Sequence, residues 1–162
     1  MENVLSSEVL EKQFGPTEVS VLYQDGKTRL ICTRAATNGQ VLELSRVVFN
    51  PAGTEKFAET HAAVLAGQSM GKAFKAAGIE FRRETKAAYR RTLPASFGGW
   101  FGSGQPANIV VVAILAGPDR TPYADILEVY SPAVDWPQSG GSPSDEHLAI
   151  IKAIGELLAG KS

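Results

Sequence analysis

The stretch VSVLYQDGKTRLICTRAATNGQVLELSRVVF, residues 19–49, decides the fold. Val19, Val21 and Tyr23 alternate with Ser20, Leu22 and Gln24, the period-two pattern of a strand. Asp25-Gly26 is a tight-turn pair, because both residues tolerate the positive φ that a two-residue hairpin demands. Thr28 to Arg34 is then the return strand, Asn38-Gly39 a second turn of the same kind, and Val41 to Phe49 a third strand. Strands joined by turns this short can only be antiparallel neighbours.

Working outward, Leu5 to Phe14 reads as a short helix, capped by Ser6 or Ser7 and stopped by Gly15-Pro16. Beyond the third strand, Asn50-Pro51-Ala52-Gly53 is a turn leading into Glu55 to Ala63. The spacing predicts one helix over Val64 to Ala77, with Leu65, Met70, Ala73 and Phe74 inward and Gly78 as its stop. The charged stretch Ile79 to Thr92 is one long strand or two short ones. Leu93 to Pro106 is a loop anchored by Phe97, Trp100 and Phe101 among Gly98, Gly99, Gly102 and Gly104. Ile109 to Leu115 is a continuous apolar run, the pattern of a strand covered on both faces. Gly117-Pro118-Asp119 turns the chain into a last strand, Tyr123 to Tyr130.

Hairpins, then a helix, then further strands make an α+β domain, with a mostly antiparallel sheet and helices gathered on one side. That domain covers residues 1–136. Residues 137–144 are a Pro/Gly/Ser linker, and residues 145–162 carry an additional helix, Asp145 to Leu158, with Ser144 as its N-cap. Leu148, Ile151, Ile154 and Leu158 make one side of it too apolar for water. It must dock, either on its own domain or, making a homodimer, on a second copy.

Composition narrows the classes. The chain has 162 residues, 44% hydrophobic and 20% charged, which is enough apolar material for a core. With 16 Lys and Arg against 17 Asp and Glu, the net charge is -1 and nucleic acid is not an expected partner. No apolar run approaches the ~20 residues of a membrane span. No secretory signal is visible, so a cytoplasmic protein is expected. Cys32 is the only cysteine, which excludes an intrachain disulfide, and His61 and His147 lack ligand-like spacing, so no metal is expected. Phosphate-loop, dinucleotide, nucleophile-elbow and zinc-protease motifs are absent.

The informative feature is charge on apolar strand faces. Alternation puts Glu128 between Ile126 and Tyr130, where desolvation would raise its pKa. It puts Arg46 with Leu42, Leu44 and Val48, where a guanidinium needs a partner. An edge strand with both charges in water, or a structural ion pair, would give the same pattern. Arg82-Arg83 and Arg90-Arg91 form a second cationic cluster, either a solvated face or a carboxylate clamp.

Three segments taken together resemble bacterial chorismate pyruvate-lyase, the 4-hydroxybenzoate synthase family. They are SSEVLEKQFGPTEVSV, then LSRVVFNPAGTEKFAET with LAGQSMGKAF and RRE, then EVYSPA. The resemblance spans most of residues 5 to 133. It implies a six-stranded antiparallel sheet enclosing a ligand cavity under helical flaps, with LSRVVFNPAGTEKFAET, residues 44–60, forming a strand, hairpin turn and return strand. It implies Glu128 as the general acid or base and Arg46 as the carboxylate-binding arginine, with one residue of slip in LSRVVF; without the slip, Ser45 takes that place. Arg83, Met70, Gly71 and Tyr130 are implied as further substrate-binding residues. No cofactor is implied.

Two functions follow from the resemblance. The first is a carbon–oxygen lyase releasing pyruvate from chorismate, or from a close enolpyruvyl relative, to give 4-hydroxybenzoate. The second is a non-catalytic module that binds a small aromatic carboxylate, as in repressor effector domains of related fold. Several departures accompany the match. FGSGQ follows Trp100 in place of basic residues, GQSMG lacks the family's proline, no DNA-binding helix pair is present, and the last helix lies outside the family pattern.

Overall fold

The computed structural model describes residues 6–101, 105–137, 139–141 and 144–159. Parts of the expected aromatic loop (Gly102 and Gly104) and of the expected linker lie outside these residues. Six strands form one antiparallel sheet: β1 (Thr17–Gln24), β2 (Thr28–Ala35), β3 (Val41–Phe49), β4 (Phe81–Arg91), β5 (Ala107–Ala116) and β6 (Thr121–Tyr130). Their order across the sheet is β1-β2-β3-β6-β5-β4. The two turns read in the sequence close β1 on β2 and β2 on β3. Asp25 secures the first through its carboxylate, which accepts from the Lys27 and Thr28 amides at 2.8 and 2.7 Å. The last two strands form a hairpin of their own, and β6 inserts between β3 and β5.

Alternation gives each strand two faces with different covers. On the inner face, Val47, Phe49, Val110, Val112, Ile114, Ala124 and Ile126 pack beneath α1 (Ser6–Phe14), α3 (Ala58–Leu65) and α4 (Met70–Ala76). On the outer face, Leu30, Cys32, Leu44, Ile109, Leu127 and Val129 pack against Ile151, Ile154 and Leu158 of α6 (Asp145–Ala159). Phe97, in a 3-10 turn at Ala95–Phe97 that runs into the short α5 (Gly98–Phe101), joins this outer core. Ser144 starts α6: its hydroxyl accepts from the His147 amide at 3.1 Å.

Two stretches differ from the sequence reading. Residues 51–56 and 58–65 are helical, where a turn and a return strand were expected. Asn50 caps α2 (Pro51–Lys56), its Oδ1 accepting from the Ala52 amide at 3.0 Å, and Pro51 opens the helix. A proline with fixed φ behind an asparagine acceptor favours helix entry over a hairpin. Gly53 lets α2 lie directly on β6, since a Cβ there would stand 2.5 Å from the Pro122 carbonyl oxygen. The expected single helix over Val64 to Ala77 is two, broken at Gly67 (φ 115°) and restarted by Ser69. Ile79 to Thr92 resolves as one strand, β4, with a bulge between Thr85 and Ala87.

Candidate functional site

The inner face divides lengthwise. At the Tyr123 end of β6 the cover is aromatic. Phe74 packs edge-on to Tyr123, with ring centroids 4.8 Å apart, and Tyr123 hydroxyl and His61 Nδ1 share a hydrogen bond of 2.7 Å. Arg29 is buried here and donates from Nη1 to the Val64 carbonyl at 3.2 Å, closing the C-terminus of α3. Burial lowers the pKa of His61 and raises that of Tyr123, so both favour their neutral forms.

At the Tyr130 end the face is charged. Glu128 pairs in register with Ser45 on β3 and Val110 on β5, and Tyr130 pairs with Glu43. Arg83 reaches over β5 from β4 and grips Glu128 with both forks of its guanidinium. Nη1 donates to Oε2 at 2.7 Å and Nη2 donates to Oε1. Tyr130 hydroxyl donates to the same Oε1 at 2.9 Å. Arg83, Glu128 and Glu43 are each 3–5% exposed, so the charges are out of water. Burial alone would lower the Arg83 pKa, but the Glu128 carboxylate more than reverses this and holds the guanidinium charged. Burial, and then the negative charge of Glu128, push the Glu43 carboxyl well above the usual carboxylate range. The same two causes raise Tyr130, keeping its hydroxyl protonated as a donor.

A cover closes over this cluster. After β6 the chain crosses the inner face as a strap, and Trp136 stacks on Tyr130 with centroids 4.6 Å apart. The Arg83 guanidinium carbon lies 5.8 Å from the Trp136 ring centroid. The strap is tied by side chains: Asn108 donates to the Val134 carbonyl at 3.1 Å, and Gln13 of α1 exchanges hydrogen bonds with the Asp135 backbone at 2.6 and 2.9 Å. Further on, Gly140 bridges to Ala88 on the edge strand β4. An open groove lined by Glu8, Val9, Lys12, Gln13, Asp135 and Pro137 runs along the strap, its last two residues flanking Trp136 in the chain.

Beneath the strap, polar atoms lack partners. Among the described residues, Arg83 Nε, Glu43 Oε2, Thr85 Oγ1 and Trp136 Nε1 are buried with no hydrogen-bond partner. A buried polar atom without a partner costs about 1–3 kcal/mol. Four around one ion pair are an unusual concentration, since native interiors satisfy nearly all such groups.

The expected site residues separate in space. Glu128, Arg83 and Tyr130 come together. Arg46 does not join them: it pairs in register with Leu127, on the outer face, and its side chain makes no hydrogen bond or ion pair among the described residues. The one-residue offset between Arg46 and Ser45 decides this, because each step along a strand reverses the face. Met70 and Gly71 begin α4, whose Phe74 covers the Tyr123 end; Met70 packs on the inner core and Gly71 is exposed. Of the two arginine pairs, Arg82 and Arg91 are exposed, and Arg90 donates to the Pro106 carbonyl at 2.9 Å. Sequence reasoning missed Glu43, Thr85 and Trp136. Glu43 carried a usable signal, since it shares a β3 face with Val47 and Phe49. Among the described residues no group of three or more His, Cys, Asp or Glu side chains could hold a metal ion.

The sheet order and helical cover define a chorismate lyase-like fold. The structure is similar to that of YydK, a possible transcriptional regulator from Bacillus subtilis subsp. subtilis str. 168. The TM-score is 0.60, at 11% identity, over 88% of this chain and 67% of that one. It is also similar to the ligand-binding domain of a regulator assigned to the GntR family, from Bordetella bronchiseptica. There the TM-score is 0.53, at 12% identity, over 80% of this chain and 92% of that one. No family model matches the chain, and no curated protein matches it in sequence. The expectation of a carbon–oxygen lyase is thereby corrected. The similar structures are a possible transcriptional regulator and a regulator's ligand-binding domain, and the arginine assigned to the substrate carboxylate faces away from the assigned acid. Among the described residues no helix is long and apolar enough to cross a membrane.

Proposed function

We propose that the chain is a non-catalytic module that binds a small molecule on the inner sheet face, over Arg83, Glu128, Tyr130 and Glu43, with the strap that carries Trp136 displaced to admit it. The observation that carries this reading is the set of four unpartnered buried polar atoms around the Arg83–Glu128 pair. A purely structural ion pair would favour full satisfaction of its surroundings, because a half-satisfied buried network costs more than an apolar core. A ligand supplying the missing donors and acceptors would recover that cost. The strap is the route of entry: it is held by a few side-chain hydrogen bonds and one bridge, not by a ladder. The ligand-binding domain from Bordetella bronchiseptica supports the reading by its fold. A cytoplasmic setting, where an unpaired thiol such as Cys32 stays reduced, accords with it.

The aromatic carboxylate expected from the sequence would have to take Arg83 from Glu128 and leave that carboxylate buried without its cation. The charge of the site therefore bears directly on the ligand. The test of the module itself is a fragment screen by backbone amide spectra. Hits should move the amides of Glu43, Arg83, Glu128 and Trp136. Hits that instead gather on α6 and the outer face would overturn the assignment.

A further inference from the structure

We infer that the inner-face site selects a small organic cation, an ammonium or amidinium group carried on a flat or apolar body, over an anion of the same size. The inference rests on the binding-module reading and adds the class of ligand. Two carboxylates, Glu43 and Glu128, are buried together on the inner face with one guanidinium, that of Arg83. With all three ionised the cluster carries one uncompensated negative charge in a site closed to water. The acceptors are unequally used. Glu128 already receives both Arg83 N–H groups and the Tyr130 hydroxyl. Glu43 Oε2, also buried, receives nothing. Among the described residues it is the one unpartnered carboxylate oxygen, and in its ionised form it lacks a donor.

The remaining walls suit the same ligand. Tyr130 and Trp136 stack beside the carboxylates; with the strap displaced to admit a ligand, the ring faces they now turn to each other would attract a cation. Thr85 Oγ1 is a further unpartnered oxygen able to accept. Trp136 Nε1 is a donor, and would take a ligand hydroxyl or carbonyl at the far end of the same molecule. An anion would find only one cation, already held on both forks, and would bring a third negative charge into the cluster. Without ligand, a proton on Glu43 neutralises the cluster. A bound ammonium would replace that proton, so binding should release it to solvent.

The experiment uses the full chain carrying Trp100→Phe, so that Trp136 is the only tryptophan, and three probes of one shape: benzylamine, benzyl alcohol and benzoate. Trp136 fluorescence reports binding. Calorimetry in buffers of different ionisation enthalpy reports the proton. Benzylammonium should bind at least tenfold more tightly than benzoate, with proton release, and Glu43→Gln should erase both the preference and the release. If benzoate binds as tightly or more tightly, the cation inference is overturned while the binding module stands. If none of the three alters Trp136 fluorescence or the amide spectrum, the inference fails together with the reading beneath it. If the preference survives Glu43→Gln, the recognition belongs elsewhere.

Discussion

The two faces of this sheet are built from the same strands and do opposite things with them. On β6, Leu127 and Val129 point outward into an apolar core sealed by α6, while Glu128 and Tyr130 point inward into a charged cluster beneath Trp136. The outer face joins helix to sheet through Ile151, Ile154 and Leu158. At its Tyr130 end, the inner face spends burial on charges and leaves polar atoms unpaired. The apolar core and the charged cluster are thus separated by one residue of register, and substitutions on neighbouring positions of one strand should have effects of different kinds.

The largest effect should come from breaking the inner ion pair on one side. Arg83→Ala leaves Glu128 buried without its cation, and loss of about 3–5 kcal/mol of unfolding free energy is expected from denaturant titration. A loss below 1 kcal/mol would mean that water already reaches the pair. On the outer face, Ile154→Ala removes fully buried side-chain volume and should cost about 2–5 kcal/mol. Here the contrast sharpens: the amides of Glu43, Arg83 and Glu128 should keep their positions in the spectrum. Their displacement would show the faces to be coupled through the strands.

A smaller effect separates the faces by pH. The Glu43 carboxyl keeps its proton in the folded protein above the range where it loses it in the unfolded chain. Between those two points the folded state binds more protons, so the contribution of Glu43 to stability falls as pH rises. Glu43→Gln removes this loss. The variant should match the parent near the ordinary carboxylate range and become the more thermally stable of the two as pH rises toward alkaline values. A variant less stable at every pH would show that Glu43 is ionised and held by a donor.

The outer half of this contrast was largely legible in the sequence. Asp25-Gly26 and Asn38-Gly39 mark turns by backbone chemistry, and the apolar side of Asp145 to Leu158 marks a helix that must be covered. The inner half was legible in part. Alternation alone put Glu128 and Tyr130 on one face. Which cation meets Glu128 is a matter of register and of reach across β5, and neither is local. Arg46 and Arg83 are equally misplaced charges in one dimension, and only the cross-strand pairing tells them apart. The helices over residues 51–65 were hidden for a different reason. Asn50-Pro51 serves both as a turn and as a helix start, and it is packing of α2 on β6 through Gly53 that chooses. Trp136 lay in a stretch with no period, where sequence gives a residue no face at all.

The most direct measurement compares the parent with the double variant Arg83→Met, Glu128→Leu. Replacing a buried ion pair by apolar side chains of similar volume is often neutral or stabilising, so stability should stay within about 1 kcal/mol of the parent. Recognition should vanish: fragments that move the Trp136 and Glu43 amides of the parent should leave those of the double variant unmoved. A folded double variant that still binds the same fragments with the same affinity would contradict the claim that the charged inner face is the ligand site.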